Sequence, residues 1–411
     1  MISTIESPHS PADCNHFNES GIASSPPEKI ASPSTEDAVI EAIRGAASHR
    51  CAIVPWGGGK SIEQGNPLNV ARWHAVSSKS LTGITEYSPD DMVVTARAGT
   101  TLEHLQNELA TENQFLPLDP PFPMESTLGG IVATNAHGLW RPGYGVPRDL
   151  LLGLRAVMAD GTSVRAGGKV VKNVAGYDLC KLFAGSWGTL GFITEVTFKT
   201  SPKPELRLHS NNGCDRVSTA IDAALRVHLA MLQPIYLTVS LAESVTLSVG
   251  LHGSAKAVEW QRDRIGEVIE PVGPRAVEDG PTEDELRHLV ISNPDSIRIR
   301  ISARPTELAD LAKYLSQAAG TQLRRLAVQV PSGIIEAALE PSANAVNAVL
   351  SVQRRLIGSG FLTWENVPEA FSSQVGDVWG PVRQDFTIMR GIKESLDPNG
   401  LFSPGRFVGG L

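Results

Sequence analysis

The stretch at residues 51–61 reads CAIVPWGGGKS. Its first four residues form an apolar run that a proline and three glycines end, which predicts a buried strand leading into a tight loop. Because glycine has no Cβ, successive N–H groups in such a loop can turn toward one point and form a nest for a pyrophosphate. The spacing matches neither Walker A nor the Rossmann fingerprint. A plain tight strand exit has the same appearance, so both interpretations stay open here. The candidate binding residues are Pro55, Trp56, Gly57, Gly58, Gly59, Lys60 and Ser61.

A second glycine-rich stretch, STLGGIVATNAHG, occupies residues 126–138, shortly after the proline-rich segment DPPFP at 119–123. Its small residues would let the backbone approach a ligand closely, whereas the alternative is a glycine-rich helix or loop packed tightly against a strand. The candidate binding residues from these two segments are Asp119, Pro120, Ser126, Thr127, Gly129, Gly130, Thr134, Asn135 and Ala136.

A third stretch runs from KVVKNVAGYDLCKLF at residues 169–183 into AGSWGTLGFITE at residues 184–195. It supplies the candidates Gly188, Gly191 and Ile193. Since each of the three stretches adjoins a predicted strand, one extended ligand wrapped by backbone accounts for all of them together.

Composition limits the classes of function. The 411 residues are 41% hydrophobic and 19% charged, as in ordinary globular proteins, and the net charge of −8 argues against broad binding of nucleic acid or anionic lipid. No apolar run is long enough to span a membrane, and residues 1–27 lack the apolar core of a signal peptide, so we expect a cytoplasmic protein. The four cysteines form no C-x-x-C pair and the histidines no H-E-x-x-H motif. We therefore predict unpaired thiols and no metal or iron–sulfur site.

The predicted organisation is a disordered leader at residues 1–30, a first domain at 31–205, an α+β domain at 206–380 and a C-terminal helix and tail at 381–411. Helices are predicted to begin at a capping box on Ser34 and at Thr100, and Asp160-Gly161 predicts a hairpin turn. After residue 206 we predict helices at 214–231, 254–270, 305–319 and 341–357, and strands at 235–241, 245–251, 296–302, 325–330 and 334–339. Because two helices twice bracket a pair of strands, the pattern favours a ferredoxin-like α+β unit.

These motifs resemble flavoproteins of the vanillyl-alcohol oxidase and D-lactate dehydrogenase group, the PCMH type, over residues 30–205 and the tail. The stretches 172–179 and 397–406 (DPNGLFSPGR) are most similar to the FAD-binding subunits of bacterial glycolate oxidases. The resemblance implies a two-part PCMH-type FAD-binding domain, a ferredoxin-like cap domain and a tail returning to the first domain. It places the pyrophosphate at residues 56–61, the adenine near Ile193 and the isoalloxazine facing the cap. Some members attach FAD covalently through histidine or cysteine, but the loop here offers Lys60, so we predict non-covalent FAD.

The resemblance also implies a function, the oxidation of a small 2-hydroxy acid such as glycolate. Many catalytic relatives carry a histidine-rich metal-binding region with a Gly-Asp-Gly-Asn stretch, and nothing in this chain matches it. We therefore expect a subunit that works beside a larger FAD-linked catalytic subunit and an iron–sulfur subunit, peripheral to the inner face of the membrane through these partners. The catalytic residues stay unassigned. His137, Arg141 and Arg148 could contact flavin or carboxylate, although a backbone-bonded histidine and surface arginines are equally good interpretations. A stand-alone 2-hydroxy-acid dehydrogenase and a flavin-free scaffold subunit are the alternatives.

Overall fold

The structure is a computed structural model, which describes residues 22–168 and 178–411. The first 21 residues of the predicted leader and residues 169–177 of the third stretch lie outside the described residues. Within the predicted leader, Ile22 is buried and its carbonyl accepts from Leu68 N, and Trp73 Nε1 donates to the carbonyl of Ser25. The chain therefore begins its contacts with the fold before residue 31.

The first lobe of the molecule is a small parallel sheet covered by a helix. Its elements are β1 (Lys29–Ala31), α1 (Glu36–Ser48), β2 (Ala52–Trp56) and β3 (Trp73–Ser77), with the strand order β1-β3-β2. Val39 and Ile43 of α1 pack on Ile53 of β2. The predicted cap at Ser34 is wrong by one residue, because the hydroxyl of Thr35 accepts the Ala38 amide.

The second lobe is a five-stranded antiparallel sheet, in which the strands from one edge to the other are β4 (Ile84–Ser88), β5 (Val93–Arg97), β9 (Phe192–Lys199), β7 (Leu151–Val157) and β8 (Ser163–Gly167). The Asp160-Gly161 turn joins β7 to β8 as predicted, with Gly161 at φ +79°. The predicted helix start at Thr100 is wrong by one residue, since Thr101 caps that helix by accepting from His104 N. The elements in chain order are β4 (Ile84–Ser88), β5 (Val93–Arg97), α2 (Leu102–Ala110), β6 (Gln114–Phe115), α3 (Leu128–Thr134), α4 (Arg141–Tyr144), α5 (Pro147–Leu150), β7 (Leu151–Val157), β8 (Ser163–Gly167), α6 (Leu179–Phe183), β9 (Phe192–Lys199) and β10 (Ser201–Pro202).

The cap is one eight-stranded antiparallel sheet built from two β-α-β-β-α-β units, where the sequence pattern indicated a ferredoxin-like unit. Its elements are β11 (Leu206–Cys214), α7 (Val217–Leu229), β12 (Tyr236–Leu241), β13 (Val245–Gly253), α8 (Ala255–Ile269), β14 (Arg275–Val277), α9 (Glu283–His288), β15 (Ile297–Ser302), α10 (Leu308–Ala319), β16 (Leu323–Gln329), β17 (Ile334–Leu339), α11 (Ala343–Arg355), β18 (Phe361–Asn366) and α12 (Glu369–Val375). The order β14-β11-β13-β12-β16-β17-β15-β18 joins the two units through β12 and β16.

The two faces of the cap sheet differ in polarity. Along β15 the isoleucines Ile297, Ile299 and Ile301 belong to the core shared with the long helices, so Arg298 and Arg300 lie on the other face. That face carries no long helix in the described part of the cap and looks toward the first domain, where Tyr236 packs with Trp140. The fold class is therefore the predicted one, and the polar side chains of the cap lie at the domain junction.

The C-terminal helix α13 (Phe386–Leu396) and the tail return to the first domain. Leu396 packs on the core of the five-stranded sheet and Phe402 on that of the parallel sheet. The buried Lys393 Nζ donates to Asp397 at 2.5 Å and to the carbonyls of Thr189 at 2.7 Å and Phe402 at 2.9 Å. This places the tail beside the third glycine-rich stretch. Among the described helices, none combines the length and apolar character needed to cross a membrane.

Candidate functional site

The loop after β2 packs so closely on the second glycine-rich stretch that two of its positions admit no side chain. A Cβ on Gly57 would lie 2.3 Å from Thr127 Oγ1, and one on Gly58 would lie 2.1 Å from the carbonyl oxygen of Glu125. Among the described residues, no acceptor takes a hydrogen bond from the amides of Gly58, Gly59 or Lys60. The loop is thus both tightly packed and a source of free N–H donors.

The three glycine-rich stretches meet around one cleft that encloses about 910 Å³ of space, part of it open to solvent. This size suits a large cofactor. Most of the predicted binding residues line it, namely Pro55, Trp56, Gly57, Gly58, Gly59, Lys60, Ser61, Ser126, Thr127, Gly129, Gly130, Thr134, Ala136, Gly188, Gly191 and Ile193.

Three predicted residues lie behind the lining of the cleft. Asp119 is buried and accepts the amides of Gly138 at 3.2 Å and Trp140 at 3.1 Å, so it fixes the backbone after α3. Burial raises the pKa of Asp119 to about 7. Asn135 ends α3 in the left-handed region at φ 52° and its side chain accepts from Arg148 N, while Pro120 is buried next to Asp119. These residues hold the shape of the site.

The structure adds lining residues that the sequence analysis missed. They are Val54, Ile62, Ser78, Ile131, Ala133, Trp187, Phe192, Ser403 and Arg406. Trp187 takes φ 55°, which is uncommon for a bulky residue and has no sequence signal. Ser403 and Arg406 fall within the tail motif at 397–406, which was the available signal for them.

Arg406 brings a buried positive charge to the cleft. Its guanidinium donates to the carbonyls of Ile62 and Gln64, and no described carboxylate lies within ion-pair distance. Burial lowers the pKa of Arg406 to about 10, because the charge is kept away from water without a counter-ion. A buried cation and free amides in one cleft suit an anionic ligand, whereas Lys60 is already paired with Glu125.

A polar cluster links the first domain, just after the cleft wall, to the cap. His137 follows Ala136 of the cleft wall, and its Nε2 is 3.2 Å from Arg141 Nη1 and 3.3 Å from Arg300 Nη1. Burial, and then the charge of Arg300, lowers the pKa of His137 to about 3, so the ring is neutral. Arg148, by contrast, is exposed.

Comparison with known proteins agrees with this geometry. Residues 27–167 match the family model described as "FAD binding domain". Glycolate oxidase subunit GlcD of Bacillus subtilis is 30% identical over 331 residues, which cover 79% of this chain and 67% of that protein. Glycolate oxidase subunit GlcE of Escherichia coli is 33% identical over 230 residues, 56% of this chain and 64% of that protein. A probable mitochondrial D-lactate dehydrogenase of Danio rerio is 24% identical over 93% of this chain and 84% of that protein.

Solved structures share the fold. A crystal structure of p-cresol methylhydroxylase with bound substrate superposes with a TM-score of 0.73 at 17% identity, over 93% of this chain and 88% of that one. The chain belongs to the PCMH-type FAD flavoproteins. Its cofactor is FAD, and it is an oxidoreductase. Free amides such as those near Gly58 and a positive charge such as that of Arg406 are groups that suit an anionic ligand in this cleft.

A separate group of potential metal ligands lies on the first lobe. Ligand atoms of Glu28, Cys51 and His74 are within 4.8 Å of one another, an arrangement that the sequence did not reveal. Arg72 already bonds both oxygens of Glu28, at 2.6 and 3.0 Å. That ion pair accounts for the position of the carboxylate. Of the cysteines, Cys51, Cys180 and Cys214 are free thiols and Cys14 lies outside the described residues.

Proposed function

We propose that this PCMH-type flavoprotein is the FAD-binding subunit of a multi-subunit glycolate oxidase that oxidises glycolate to glyoxylate. The observation that carries the proposal is the convergence of three glycine-rich stretches and the tail on one cleft. Bound FAD supplies a two-electron acceptor for the carbon that bears the hydroxyl group. The named glycolate oxidase subunits among the relatives favour this substrate class.

In this proposal the loop at residues 57–61 holds the diphosphate of FAD, Ile193 lies beside the adenine, and the flavin ring occupies the end of the cleft that faces the cap. Arg406 neutralises charge on the cofactor. FAD binds without a covalent link, because the described lining of the cleft contains no histidine, cysteine or tyrosine. Release of all yellow colour by acid precipitation tests this last point, and colour retained on the protein would contradict it.

The assignment as a subunit is supported by what the cap lacks among its described residues. His209 bonds Tyr236 and the Pro281 carbonyl, and His252 bonds Tyr144, so both have structural partners. The described cysteines form no cluster that could hold iron and sulfur. A larger FAD-linked catalytic subunit and an iron–sulfur subunit would complete the electron path, with the complex at the inner face of the membrane. We propose domains at 31–205 and 206–380, with 381–411 as the returning tail, since the cap sheet begins at Leu206.

Co-purification with neighbouring subunits tests this function. We expect a yellow complex that reduces an artificial acceptor with glycolate, and little turnover by the chain alone. Turnover by the purified chain at the rate of the complex would contradict the subunit assignment.

The second candidate is a stand-alone 2-hydroxy-acid dehydrogenase of the D-lactate type. It is favoured by the length of the match to the Danio rerio protein, which spans nearly the whole of this chain. D-lactate oxidation by the isolated chain would establish it. A purified chain that takes up no FAD would instead favour a scaffold subunit.

A further inference from the structure

Three neighbouring strands of the cap sheet bring charged side chains together beside His137. Arg300 lies on β15, and Glu336 is directly opposite it on β17. Glu365 comes from β18, on the other side of β15. The register between β15 and β18 shifts next to Ile299, so Glu365 is the extra residue of a bulge, a feature that commonly redirects a side chain. The guanidinium of Arg300 is the centre of this group.

The groups around the Arg300 guanidinium are all of types that bind metal ions. Its Nη2 lies 2.6 Å from Glu336 Oε1, and its Nε lies 2.8 Å from Glu365 Oε1. Its Nη1 is 3.3 Å from His137 Nε2. Carboxylate oxygens and a neutral imidazole nitrogen are ligands for divalent transition metals. The contact of Nε is an ion pair without a directed hydrogen bond, so charge rather than bond direction holds it.

His137 has the orientation that metal-bound histidines share. Its Nδ1 lies 2.9 Å from the carbonyl oxygen of Asn135, which can only accept, so Nδ1 carries the ring proton. Nε2 therefore directs its lone pair at Arg300, and Arg141 shares that lone pair at 3.2 Å. Metal-ligating histidines almost always donate their other ring N–H to a carbonyl, a carboxylate or water in this way.

Two further oxygen atoms beside the group have no hydrogen-bond partner among the described residues. They are Oε1 of Gln329 on β16 and Oγ1 of Thr238 on β12. The two residues are buried and lie directly opposite each other in the pairing of these strands. Gln329 Nε2 is 3.5 Å from Glu336 Oε2, which places the amide next to the carboxylate. Because buried polar atoms without partners are rare, this face offers more ligand oxygens than Arg300 uses.

The positive charge of Arg300 is what keeps the carboxylates stable in this position. Burial alone would lower the pKa of Arg300, but the charges of Glu365 and Glu336 outweigh burial and raise it above its usual range. Burial raises the pKa of Glu336, so its ionised form needs a cation next to it. A divalent metal ion would supply the same compensation. The ligand atoms are too far apart to meet one ion as they stand, because the guanidinium lies between them.

We infer that the Arg300 guanidinium is a built-in replacement for a divalent metal ion. It fills the centre of a site whose surrounding groups, on His137, Glu336 and Glu365, have the chemistry of metal ligands. Because a guanidinium cannot dissociate from the chain, the positive charge at this junction does not depend on a supply of metal. Removing the guanidinium should uncover a site for a divalent cation that accepts imidazole and carboxylate ligands.

Binding of Mn²⁺ to the full chain loaded with FAD tests this inference. Electron paramagnetic resonance of free Mn²⁺ gives the dissociation constant for wild type, Arg300→Ala and Arg300→Lys. Mn²⁺ suits carboxylate and imidazole ligands and does not favour thiolates, so the group at Cys51 interferes little. We expect a dissociation constant at least about tenfold lower for Arg300→Ala than for wild type, with the charge of Arg141 limiting the gain. Arg300→Lys should behave as wild type, because an ammonium group keeps the charge in place.

Two controls separate the site from a general effect of charge. Arg298→Ala removes the same charge from the same face of β15, and Arg298 has no carboxylate within ion-pair distance in the described part of the chain. This variant should bind Mn²⁺ as wild type does. Arg300→Ala combined with Glu336→Gln should return to wild-type affinity, because one charged ligand is lost.

Wild-type Mn²⁺ affinity in Arg300→Ala would overturn the inference. Equal tightening in Arg298→Ala, or affinity retained after Glu336→Gln, would overturn it as well. If Arg300→Ala folds poorly, thermal denaturation with and without Mn²⁺ decides. A rise in Tm with Mn²⁺ that is confined to this variant supports the inference. A variant that folds neither with nor without Mn²⁺ refutes it, since a metal ion could then not take the place of the guanidinium.

Discussion

Substituting Gly58 by alanine tests whether the loop after β2 must lie where the structure places it. The added Cβ would be 2.1 Å from the carbonyl oxygen of Glu125 and 3.1 Å from its carbon, both of them backbone atoms. An ordinary contact of this kind is about 3.3 Å, so the loop must move by about 1 Å. Relief by side-chain rotation is not available. Overpacking of this kind costs about 1–3 kcal/mol.

The displacement moves the free amides of the loop away from the ligand, so part of this energy is lost from FAD binding. A loss of 1.4 kcal/mol is tenfold in affinity, so we expect the dissociation constant for FAD to rise by up to about 150-fold, the value reached if all of this energy is lost from binding. Titration of the apoprotein with FAD, followed by quenching of flavin fluorescence, measures this. Thermal denaturation of the apoprotein separates a loss of stability from a loss of affinity.

Gly45 provides a matched control, because it lies in α1 and a Cβ there would meet nothing within 4 Å. Gly45→Ala should raise the free energy of unfolding by about 0.5–1 kcal/mol and leave FAD affinity unchanged. Wild-type FAD affinity in Gly58→Ala would refute the reasoning, since it would mean that the loop does not bind the cofactor in this position.

Three further substitutions address the buried charges. Arg406→Met should raise the dissociation constant for FAD at least tenfold in the same titration, because it removes the buried cation of the cleft; unchanged affinity would show that Arg406 serves only the loop. Lys393→Met should lower the free energy of unfolding, measured by urea denaturation, by about 3–5 kcal/mol, because Asp397 is left buried without its partner. The control Lys256→Met, at an exposed lysine, should change this free energy little. The raised pKa of Asp119 means that the folded protein opposes its ionisation, so the free energy of unfolding falls as pH rises from about 4, where the unfolded chain loses this proton, to about 7. Asp119→Asn should therefore gain stability relative to wild type over that interval, by up to about 4 kcal/mol in urea denaturation, and a constant difference would contradict the pKa.

The sequence predicted local structure more reliably than long-range pairing. The hairpin at Asp160-Gly161 and most cap elements were recoverable because turn chemistry and apolar periodicity are local signals. The helix starts at Thr35 and Thr101 were each missed by one residue. Each start has two adjacent residues with hydroxyl groups, and the backbone conformation decides which of the two caps the helix. The pairing of β12 with β16 joins residues about ninety positions apart, such as Thr238 and Gln329, and no local pattern encodes it.

In the candidate site, too, local features were predictable from the sequence and long-range contacts were not. Glycine clusters marked the cleft because close backbone approach excludes side chains, as at Gly58. The meeting of His137, Arg141 and Arg300 was not predictable, because Arg300 comes from the cap and its direction depends on which face of β15 is buried. In isolation an arginine in a strand has the same sequence signature whether it faces solvent or a site.

The tail completes a cleft whose other lining residues belong to the first domain. Lys393 binds the Thr189 carbonyl of the third glycine-rich stretch and the Phe402 carbonyl of the tail, and Ser403 N donates to Ile53 of β2. These contacts fix the turn that carries Arg406 into the cleft. Because the loop carbonyls of Ile62 and Gln64 in turn accept from Arg406, the loop that supplies the free amides is held from the C-terminal side. The cofactor cleft is therefore completed only when the tail has returned, although the glycine-rich stretches that mark it all end by residue 195.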